Sequence, residues 1–388
     1  MIIGLVGAPN KGKSTIFSAV TKTDVDIADY PFTTIKPNFG VAYANKPCVD
    51  QELNVKCNPR NSMCINGIRR MPINIVDVAG LVPDASSGKG MGNQFLNDLM
   101  QADALIQVVD LTSKTDMQGN HCEHSDPADE VLMVKKEIAN WLGSILEKHM
   151  ANIYRRPDGD AALKEILAGF NISLEQIRKA ADMSYLRTSE IKWKKEDIYA
   201  FADSLIKINK PIIVAANKQD AAKDGALEAL KSRLKDNIVI GCSGAIELTL
   251  VKAAKSGIID YVPGSSSFEI KKEVSGGQKK ALDYISGYLN VHKTTGIQEL
   301  INAATFDLLK NMVVYPVEDE NKYTDHNGNV LPDAILLQIG SNAQDLAAKI
   351  HTELAKGMLY AIDAKRKTRI GKDYVLKDND VIKIVSAR

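Results

Sequence analysis

The pattern of apolar and polar positions predicts that the chain begins with alternating strands and helices. Residues 2–6 form a short apolar run, and residues 14–20 carry apolar side chains at helical spacing. Further apolar runs, each bounded by polar residues or glycine, lie at 73–76, 104–109, 211–216 and 237–241. Uniformly apolar strands are typical of a parallel sheet covered by helices. The sequence therefore predicts an α/β domain, with a mostly parallel sheet flanked by helices, over residues 1–311.

A long insertion within this domain, about residues 112–210, has helical periodicity from about residue 126 onward. Val131, Val134 and Ile138 recur at helical spacing, and residues 183–193 and 197–201 also suggest helix. Apolar stripes of this kind usually pack into a core. The alternative is a docking surface for a partner. We expect a helical insertion here.

The C-terminal part of the chain changes character. Strand-like runs lie at 313–317, 334–338 and 381–385. Between them, a capping box beginning at Ser341 predicts the start of a helix that runs through Leu346, Ile350 and Leu354. The order of hairpin, helix and strand predicts a second, small α+β domain over 312–388.

Composition excludes several classes of protein. The 388 residues have a net charge of only +1, so a role in binding nucleic acid would need a local patch. There is no N-terminal export signal and no apolar run of the roughly 20 residues that span a bilayer. Five cysteines, an odd number, suit a reducing compartment. We expect a cytoplasmic protein that does not contact a membrane.

Most of the cysteines occupy two insertions. Their spacing is irregular and contains no C-x-x-C pair, so we interpret them as scattered thiols rather than zinc ligands. The residues concerned are Cys48, Cys57 and Cys64 in one insertion, and Cys122 with His121 and His124 in the other.

The segment between the first strand and the first helix fits the phosphate-binding pattern G-x-x-x-x-G-K-[ST]. A glycine-rich turn in this position directs backbone N–H groups and a helix N-terminus at an anionic phosphate. Lys13 is predicted to reach the outer phosphates, and the Ser14 hydroxyl to bind Mg²⁺. The predicted nucleotide-binding residues of this segment are Gly7, Ala8, Pro9, Asn10, Lys11, Gly12, Lys13, Ser14 and Thr15.

Three later segments, each after a predicted strand, complete a nucleotide site. Asp77 is predicted to hold Mg²⁺ through water, and the backbone of Gly80 to approach a γ-phosphate. In Asn217-Lys218-Gln219-Asp220, the carboxylate of Asp220 can accept two hydrogen bonds from guanine, whereas adenine would leave it badly paired.

The remaining contacts of the base are predicted for four groups. Asn217 would touch the other edge of the base, and the Lys218 stem would cover the ring face. The backbone N–H groups of Ser243 and Gly244 would meet the guanine oxygen. Together these segments predict GTP as the substrate.

Two tracts resemble the Obg-related branch of translation-factor-class GTPases. Residues 29–40 are very close to the first switch of that branch, and residues 77–96 are similar to its second switch. Within the branch the chain resembles the archaeal and eukaryotic group close to YchF. YchF proteins carry N-x-x-E and are thought to prefer ATP. This chain has Asp220 at the last position of the motif, so we still expect GTP as its substrate. A YchF-like ATPase is the alternative. The tail resembles a TGS domain of β-grasp type.

The resemblance implies roles for residues that spacing alone does not define. Phe32, Thr33 and Thr34 belong to the nucleotide site, and Thr34 completes the Mg²⁺ shell. The predicted catalytic residues are Lys13, Thr34 and Gly80. The residue after Gly80 is Leu81 rather than a water-orienting glutamine, so intrinsic hydrolysis should be slow.

Asn10 is a candidate ligand for K⁺, which occupies this position in several GTPases of the class. The alternative is that Asn10 only stabilises the loop turn. Equal turnover in K⁺ and Na⁺ would refute the K⁺ hypothesis.

The resemblance also implies a ribosomal or RNA-containing partner, contacted through the TGS domain and a basic cluster at 365–372. The cluster is either a phosphate-backbone footprint or a solvated hairpin. Its members are Lys365, Arg366, Lys367, Arg369 and Lys372. A regulatory binding module without appreciable hydrolysis is the rival to a GTP-hydrolysing switch.

Overall fold

The computed structural model describes residues 1–21, 38–78, 99, 101–170, 172–189 and 191–387. Among these, residues 42–73 and 301–387 form one compact unit, and the remainder form the other. The predicted boundary between residues 311 and 312 is a single cut along the chain and stays a prediction. The compact units differ from it in that residues 42–73 group with the C-terminal residues.

The largest sheet has seven strands in the order β2-β4-β1-β5-β6-β7, with β3 paired to β4. Its pairs β1–β4, β1–β5, β5–β6 and β6–β7 are parallel, and β3–β4 is antiparallel. The predicted mostly parallel sheet is therefore confirmed. The strands are β1 (Ile2–Val6), β2 (Phe39–Pro47), β3 (Met63–Ile65), β4 (Ile68–Asp77), β5 (Ala104–Asp110), β6 (Ile212–Asn217) and β7 (Val239–Gly241).

Helices flank this sheet. They are α1 (Lys13–Thr21), α2 (Pro127–Ile153), α3 (Gly159–Ile166), α4 (Leu174–Met183), α5 (Lys195–Asn209), α6 (Ala226–Arg233), α7 (Gly244–Lys255), α8 (Gly276–His292) and α9 (Ile297–Asn302). A small antiparallel pair, β8 (Ile259–Asp260) and β9 (Glu269–Ile270), follows α7. None of the described helices combines the length and the apolar character that a membrane span requires.

The apolar stripe of α2 packs into a core rather than facing solvent. Val134, Ile138 and Leu142 are buried in one cluster with Phe201 of α5 and Trp193. This agrees with the interpretation of these stripes as core. The helix predicted across 183–193 is wrong: α4 ends at Met183, and Tyr185 adopts a left-handed φ of 57° that the helix cannot continue through.

The second unit contains the predicted α+β arrangement. Its sheet has the order β11-β10-β14-β12-β13, in which β10 and β14 are parallel and the other pairs antiparallel. The elements are β10 (Asn311–Val317), β11 (Ile335–Gln338), α10 (Ala343–Ile350), α11 (Thr352–Gly357), β12 (Met358–Asp363), β13 (Thr368–Ile370) and β14 (Asp380–Ser386).

Two details of this unit correct the sequence analysis. The cap of α10 is Asn342 rather than Ser341, because the Asn342 side chain accepts from the backbone N–H groups of Gln344 and Asp345. The helix does not run on to Leu354, since it ends at Ile350 and His351 is extended.

The three cysteines of the first insertion are not scattered. Cys48, Cys57 and Cys64 lie together with Asp50, whereas Cys122 and its neighbouring histidines are not in a group of metal-ligand type among the described residues.

Candidate functional site

The predicted phosphate-binding segment forms a loop between β1 and α1 with a left-handed backbone at three positions. Gly7, Asn10 and Gly12 have φ values of 140°, 60° and 94°. A Cβ on Gly12 would lie 2.3 Å from Asn217 Nδ2, and one on Gly7 would lie 2.5 Å from the Val108 carbonyl oxygen. Both glycines are therefore required by close contacts as well as by backbone conformation.

The side chains predicted to manage phosphate and metal meet at the start of α1. The Ser14 hydroxyl donates to Asp77 Oδ2 at 3.0 Å, at the carboxyl end of β4. The other oxygen, Oδ1, is buried without a hydrogen-bond partner among the described residues. A hydroxyl and a carboxylate with one unused buried oxygen are ligands of the type that Mg²⁺ prefers, so these residues fit the predicted ion.

Burial shifts the pKa values of the charged side chains at the start of α1. Burial lowers the pKa of Lys13, an effect that Asp77 and Glu130 oppose, and Lys13 Nζ donates to the Ala8 carbonyl at 3.0 Å. Burial raises the pKa of Asp77, although Ser14 and Lys13 act against the shift. A bound phosphate would supply the negative charge that the buried Lys13 ammonium needs.

The loop is also held by a buried ion pair that sequence reasoning missed. Lys11 Nζ lies 2.7 Å from Glu130 Oε2, with both side chains almost wholly buried, and it donates to the Thr115 carbonyl at 2.7 Å. Glu130 Oε1 accepts from the backbone N–H of Ala8 at 3.4 Å. A signal was present: Glu130 stands four residues before Val134 and eight before Ile138, on the buried face of α2.

Asn10 contacts the loop between β5 and α2. Its Nδ2 donates to the Gly119 carbonyl at 2.8 Å, and its own φ is left-handed. These observations agree with the role of Asn10 in stabilising the turn. Its predicted binding of K⁺ stays a prediction.

Asn217 joins two loops of the site. Its Nδ2 donates to the Lys11 carbonyl at 2.8 Å, and its Oδ1 accepts from the Gly244 N–H at 3.0 Å. This role was not predicted. The predicted contact of Asn217 with the base edge stays a prediction.

The loop before α7 gives hydrogen-bond acceptors to the two backbone N–H groups predicted to meet the guanine oxygen. The Ser243 N–H donates to the Thr295 carbonyl at 2.9 Å, and the Gly244 N–H donates to Asn217. Both groups predicted to meet the guanine oxygen thus already have acceptors. The predicted contact of these two groups with guanine stays a prediction.

The proposed base reader, Asp220, retains an unused acceptor. Its Oδ1 is buried and has no hydrogen-bond partner among the described residues. Lys218 is left-handed, and its Nζ lies 2.8 Å from Asp110 Oδ2. Burial acts to raise the pKa of Asp110, but hydrogen bonds from Lys218, Thr112 and Thr115 outweigh it and lower the pKa. Asp110 thereby fixes the end of the Lys218 side chain.

Several predicted residues lie outside the described part of the chain. They are Phe32, Thr33, Thr34, Gly80 and Leu81. The other predicted nucleotide-site residues lie at the ends of β4 and β6, on the loops that follow β1, β6 and β7, and at the starts of α1 and α7.

Comparison with known families gives three matches along the chain. Residues 2–152 match the family described as 50S ribosome-binding GTPase. Residues 215–319 match the G4 motif-containing domain of the Obg-like GTPase YGR210-like family. Residues 327–386 match the TGS domain.

Individual relatives span nearly the whole chain. The uncharacterized GTP-binding protein MJ1332 of Methanocaldococcus jannaschii is 52% identical over 100% of this chain and 99% of its own. The GTP-binding protein C428.15 of Schizosaccharomyces pombe is 32% identical over 90% of each chain. The ribosome-binding ATPase YchF of Mycoplasma genitalium is 28% identical over 97% of each.

A solved structure is also similar. The crystal structure of a GTP-binding protein from Pyrococcus horikoshii OT3 is 38% identical, covers 100% of both chains and has a TM-score of 0.82.

Proposed function

Because the chain belongs to the YchF-like branch of the Obg family of GTPases, with a G domain and a C-terminal TGS domain, we propose that it binds GTP and hydrolyses it to GDP and phosphate as a Mg²⁺-dependent switch. The observation that carries the choice of base is Asp220 Oδ1, a buried carboxylate oxygen without a partner among the described residues. Guanine presents two N–H donors to such an oxygen pair, and adenine does not.

The residues of the phosphate loop supply positioning and charge. Lys13 Nζ, now on the Ala8 carbonyl, is within reach of a phosphate seated on the loop and would stabilise the negative charge that develops during transfer. Ser14 would bind Mg²⁺ directly and Asp77 would hold it through water, and the bound ion would neutralise charge on the phosphates. Asn217 ties the base-reading loop to the phosphate loop, so the two ends of the nucleotide would be held in one geometry.

The switch itself rests on the family resemblance, through Thr34 and Gly80. We propose that the γ-phosphate orders the segments around them. Hydrolysis by the free protein is expected to be slow, because Leu81 cannot orient a water molecule.

We propose a ribosomal or RNA-containing partner and a cytoplasmic location. Relatives are named ribosome-binding ATPases, and one matching family is described as a 50S ribosome-binding GTPase. In the basic cluster, Arg369 and Lys372 are exposed, whereas Lys365 pairs with Glu52 at 2.7 Å.

The test is a nucleotide panel on wild type and Asp220→Asn. Wild type should bind GTP at least about 100-fold more tightly than ATP, since two hydrogen bonds to a carboxylate contribute roughly 3 kcal/mol or more. Asp220→Asn should lose that preference and gain affinity for xanthosine triphosphate, whose C2 carbonyl accepts a hydrogen bond from the amide.

Equal GTP and ATP affinity in the wild type would contradict the proposed preference for GTP, and tighter binding of ATP would favour the YchF-like ATPase. Single-turnover measurements with and without ribosomes decide the remaining alternative. A rate no faster than uncatalysed hydrolysis under both conditions would favour a binding module.

A further inference from the structure

The insertion between β2 and β4 brings four side chains of metal-ligand type together. They are Cys48, Asp50, Cys57 and Cys64, and their sulfur and carboxylate oxygen atoms all lie within 4.8 Å of one another. Cys48 and Asp50 are buried, and the other two are partly buried. We propose that these residues form a structural zinc site.

The spacing of the atoms agrees with tetrahedral coordination. With Zn–S bonds of about 2.3 Å and a Zn–O bond of about 2.0 Å, neighbouring sulfurs should be about 3.8 Å apart and a sulfur and an oxygen about 3.5 Å apart. The Sγ atoms of Cys48 and Cys57 are 3.9 Å apart. Asp50 Oδ2 lies 3.0 Å from Cys57 Sγ and 3.8 Å from Cys64 Sγ. Small side-chain movements would therefore seat the ion.

The backbone holds the ligands from separate points of the insertion. Cys64 lies in β3, and a turn with two left-handed residues, Asn66 and Gly67, leads into β4. The Cys48 N–H donates to the Gly67 carbonyl at 2.8 Å, so the end of β2 is fastened to that turn. Beyond Cys57, the backbone of Asn58 donates to the Val330 carbonyl at 3.1 Å. Backbone hydrogen bonds, which do not involve the ligand atoms, therefore hold the segments that carry the ligands close together.

Two further groups point to a ligand. Asp50 Oδ1 is buried without a hydrogen-bond partner among the described residues, and an ion at the cluster would give this carboxylate a counter-charge. The wholly buried guanidinium of Arg69 also acts electrostatically on the Cys48 thiol. Three thiolates and one carboxylate around Zn²⁺ carry a net charge of −2, and the buried Arg69 cation would reduce the net charge of the loaded site to −1.

Proton balance follows directly. Burial raises the pKa of Cys48 to about 11, and burial with the hydrogen bond to Asp50 raises the pKa of Cys57 further. Each thiol that binds Zn²⁺ as a thiolate releases one proton, so the bound state is Zn²⁺ with three thiolates and three protons are lost to solvent.

The experiment measures metal in the tag-free, full-length protein purified under reducing conditions. We expect about one zinc per chain by mass spectrometry, and a Co²⁺-substituted form with the visible bands of tetrahedral thiolate coordination. Cys57→Ser and Cys64→Ser should lower zinc content to about 0.1 per chain or less. Cys122→Ser, in the other insertion, is the matched control and should keep its zinc.

A separate measurement covers variants that fold poorly. Removing zinc from wild type with a chelator should lower its melting temperature, and adding Zn²⁺ back should restore it. Reduced, folded wild type that contains no zinc and takes up no Co²⁺ would overturn the proposal. A Cys48–Cys57 disulfide in the freshly purified protein, or a zinc content unchanged in both serine variants, would overturn it as well.

Discussion

At the scale of single residues, the phosphate loop concentrates buried charge around the start of α1. Lys11, Lys13 and Asp77 all lie there, and burial shifts the pKa of Lys13 downward and that of Asp77 upward. Both shifts disfavour the charged forms of Lys13 and Asp77 in the nucleotide-free protein. These side chains are therefore not arranged for the stability of the free domain. The charged forms are the ones that a phosphate and a divalent cation need.

Asp77→Asn should therefore stabilise the protein while weakening nucleotide binding. A carboxyl group whose pKa is raised on folding costs stability above its folded-state pKa, and that cost is relieved as the pH falls through this value. The melting temperature of nucleotide-free Asp77→Asn should exceed that of wild type at pH 7, and the difference should shrink toward about pH 4. Mg²⁺-dependent GTP affinity should fall.

The control is Asp224→Asn, an exposed residue in the loop before α6. It should change neither the melting temperature nor GTP affinity. A melting temperature for Asp77→Asn below that of wild type at pH 7 would contradict the expectation.

Residue-level prediction from sequence is strongest where a motif fixes local geometry. Gly12, Lys13, Ser14 and Asp77 were predicted from spacing, and the structure brings the last two to 3.0 Å. It failed at Glu130, whose partner Lys11 lies more than 100 residues away. It failed again for the insertion cysteines, because their convergence depends on the turn between β3 and β4 rather than on any regular interval.

At the scale of elements, α2 is joined to the phosphate loop through Glu130. Glu130→Ala would leave the Lys11 ammonium buried without a counter-ion, which typically costs about 3–5 kcal/mol. We expect a clear loss of stability in thermal unfolding. Replacing both residues with methionine should recover much of it, since two apolar side chains of similar size leave no buried charge.

The neighbouring Asp129 provides the matched control. It is exposed and pairs with Arg233, so Asp129→Ala should cost no more than about 1 kcal/mol. Equal losses for Glu130→Ala and Asp129→Ala would refute the importance of the buried pair.

The start of α10 offers a second test at this scale. Asn342→Ala removes the acceptor for two backbone N–H groups and should destabilise the helix by about 1 kcal/mol. Ser341→Ala, one residue earlier, should stay within about 0.5 kcal/mol. Amide hydrogen exchange in α10 measures both. A larger effect at Ser341 would restore the cap predicted from the sequence.

Elements were predicted best where they are long and buried. The strand at 2–6 agrees with β1, and the runs at 104–109 and 211–216 agree with β5 and β6 to within a residue. The helix predicted across 183–193 failed because its apolar residues also suit an irregular connection that packs on the same core. Periodicity cannot separate these cases, since both bury apolar side chains.

At the scale of the whole molecule, the basic cluster is the feature that bears on a partner. Lys367 donates to the Glu320 carbonyl and Lys365 pairs with Glu52, whereas Arg369 stacks over the Tyr360 ring at 3.8 Å. If the protein binds RNA here, Arg369→Ala and Lys372→Ala should each reduce the slope of log affinity against log salt by about one. Lys365→Ala, already paired, should have a smaller effect. Unchanged slopes in ribosome or RNA binding would leave the solvated-hairpin interpretation.

The chain order of the units also limits what a sequence can predict. Residues 42–73 precede most of the first unit along the chain but group with residues 301–387. Domain prediction from composition divides a chain at one point, and an early segment that joins a late one leaves no compositional trace at either end.

The contact between Lys11 and Glu130 also constrains how this sequence can diverge. Position 11 is unspecified in the phosphate-binding pattern, so the motif alone would tolerate almost any residue there. The buried partner removes that freedom, because a change at position 11 is costly unless position 130 changes with it. Among homologues the two positions should therefore vary together, and a phosphate loop transplanted from another GTPase should need the matching residue in α2.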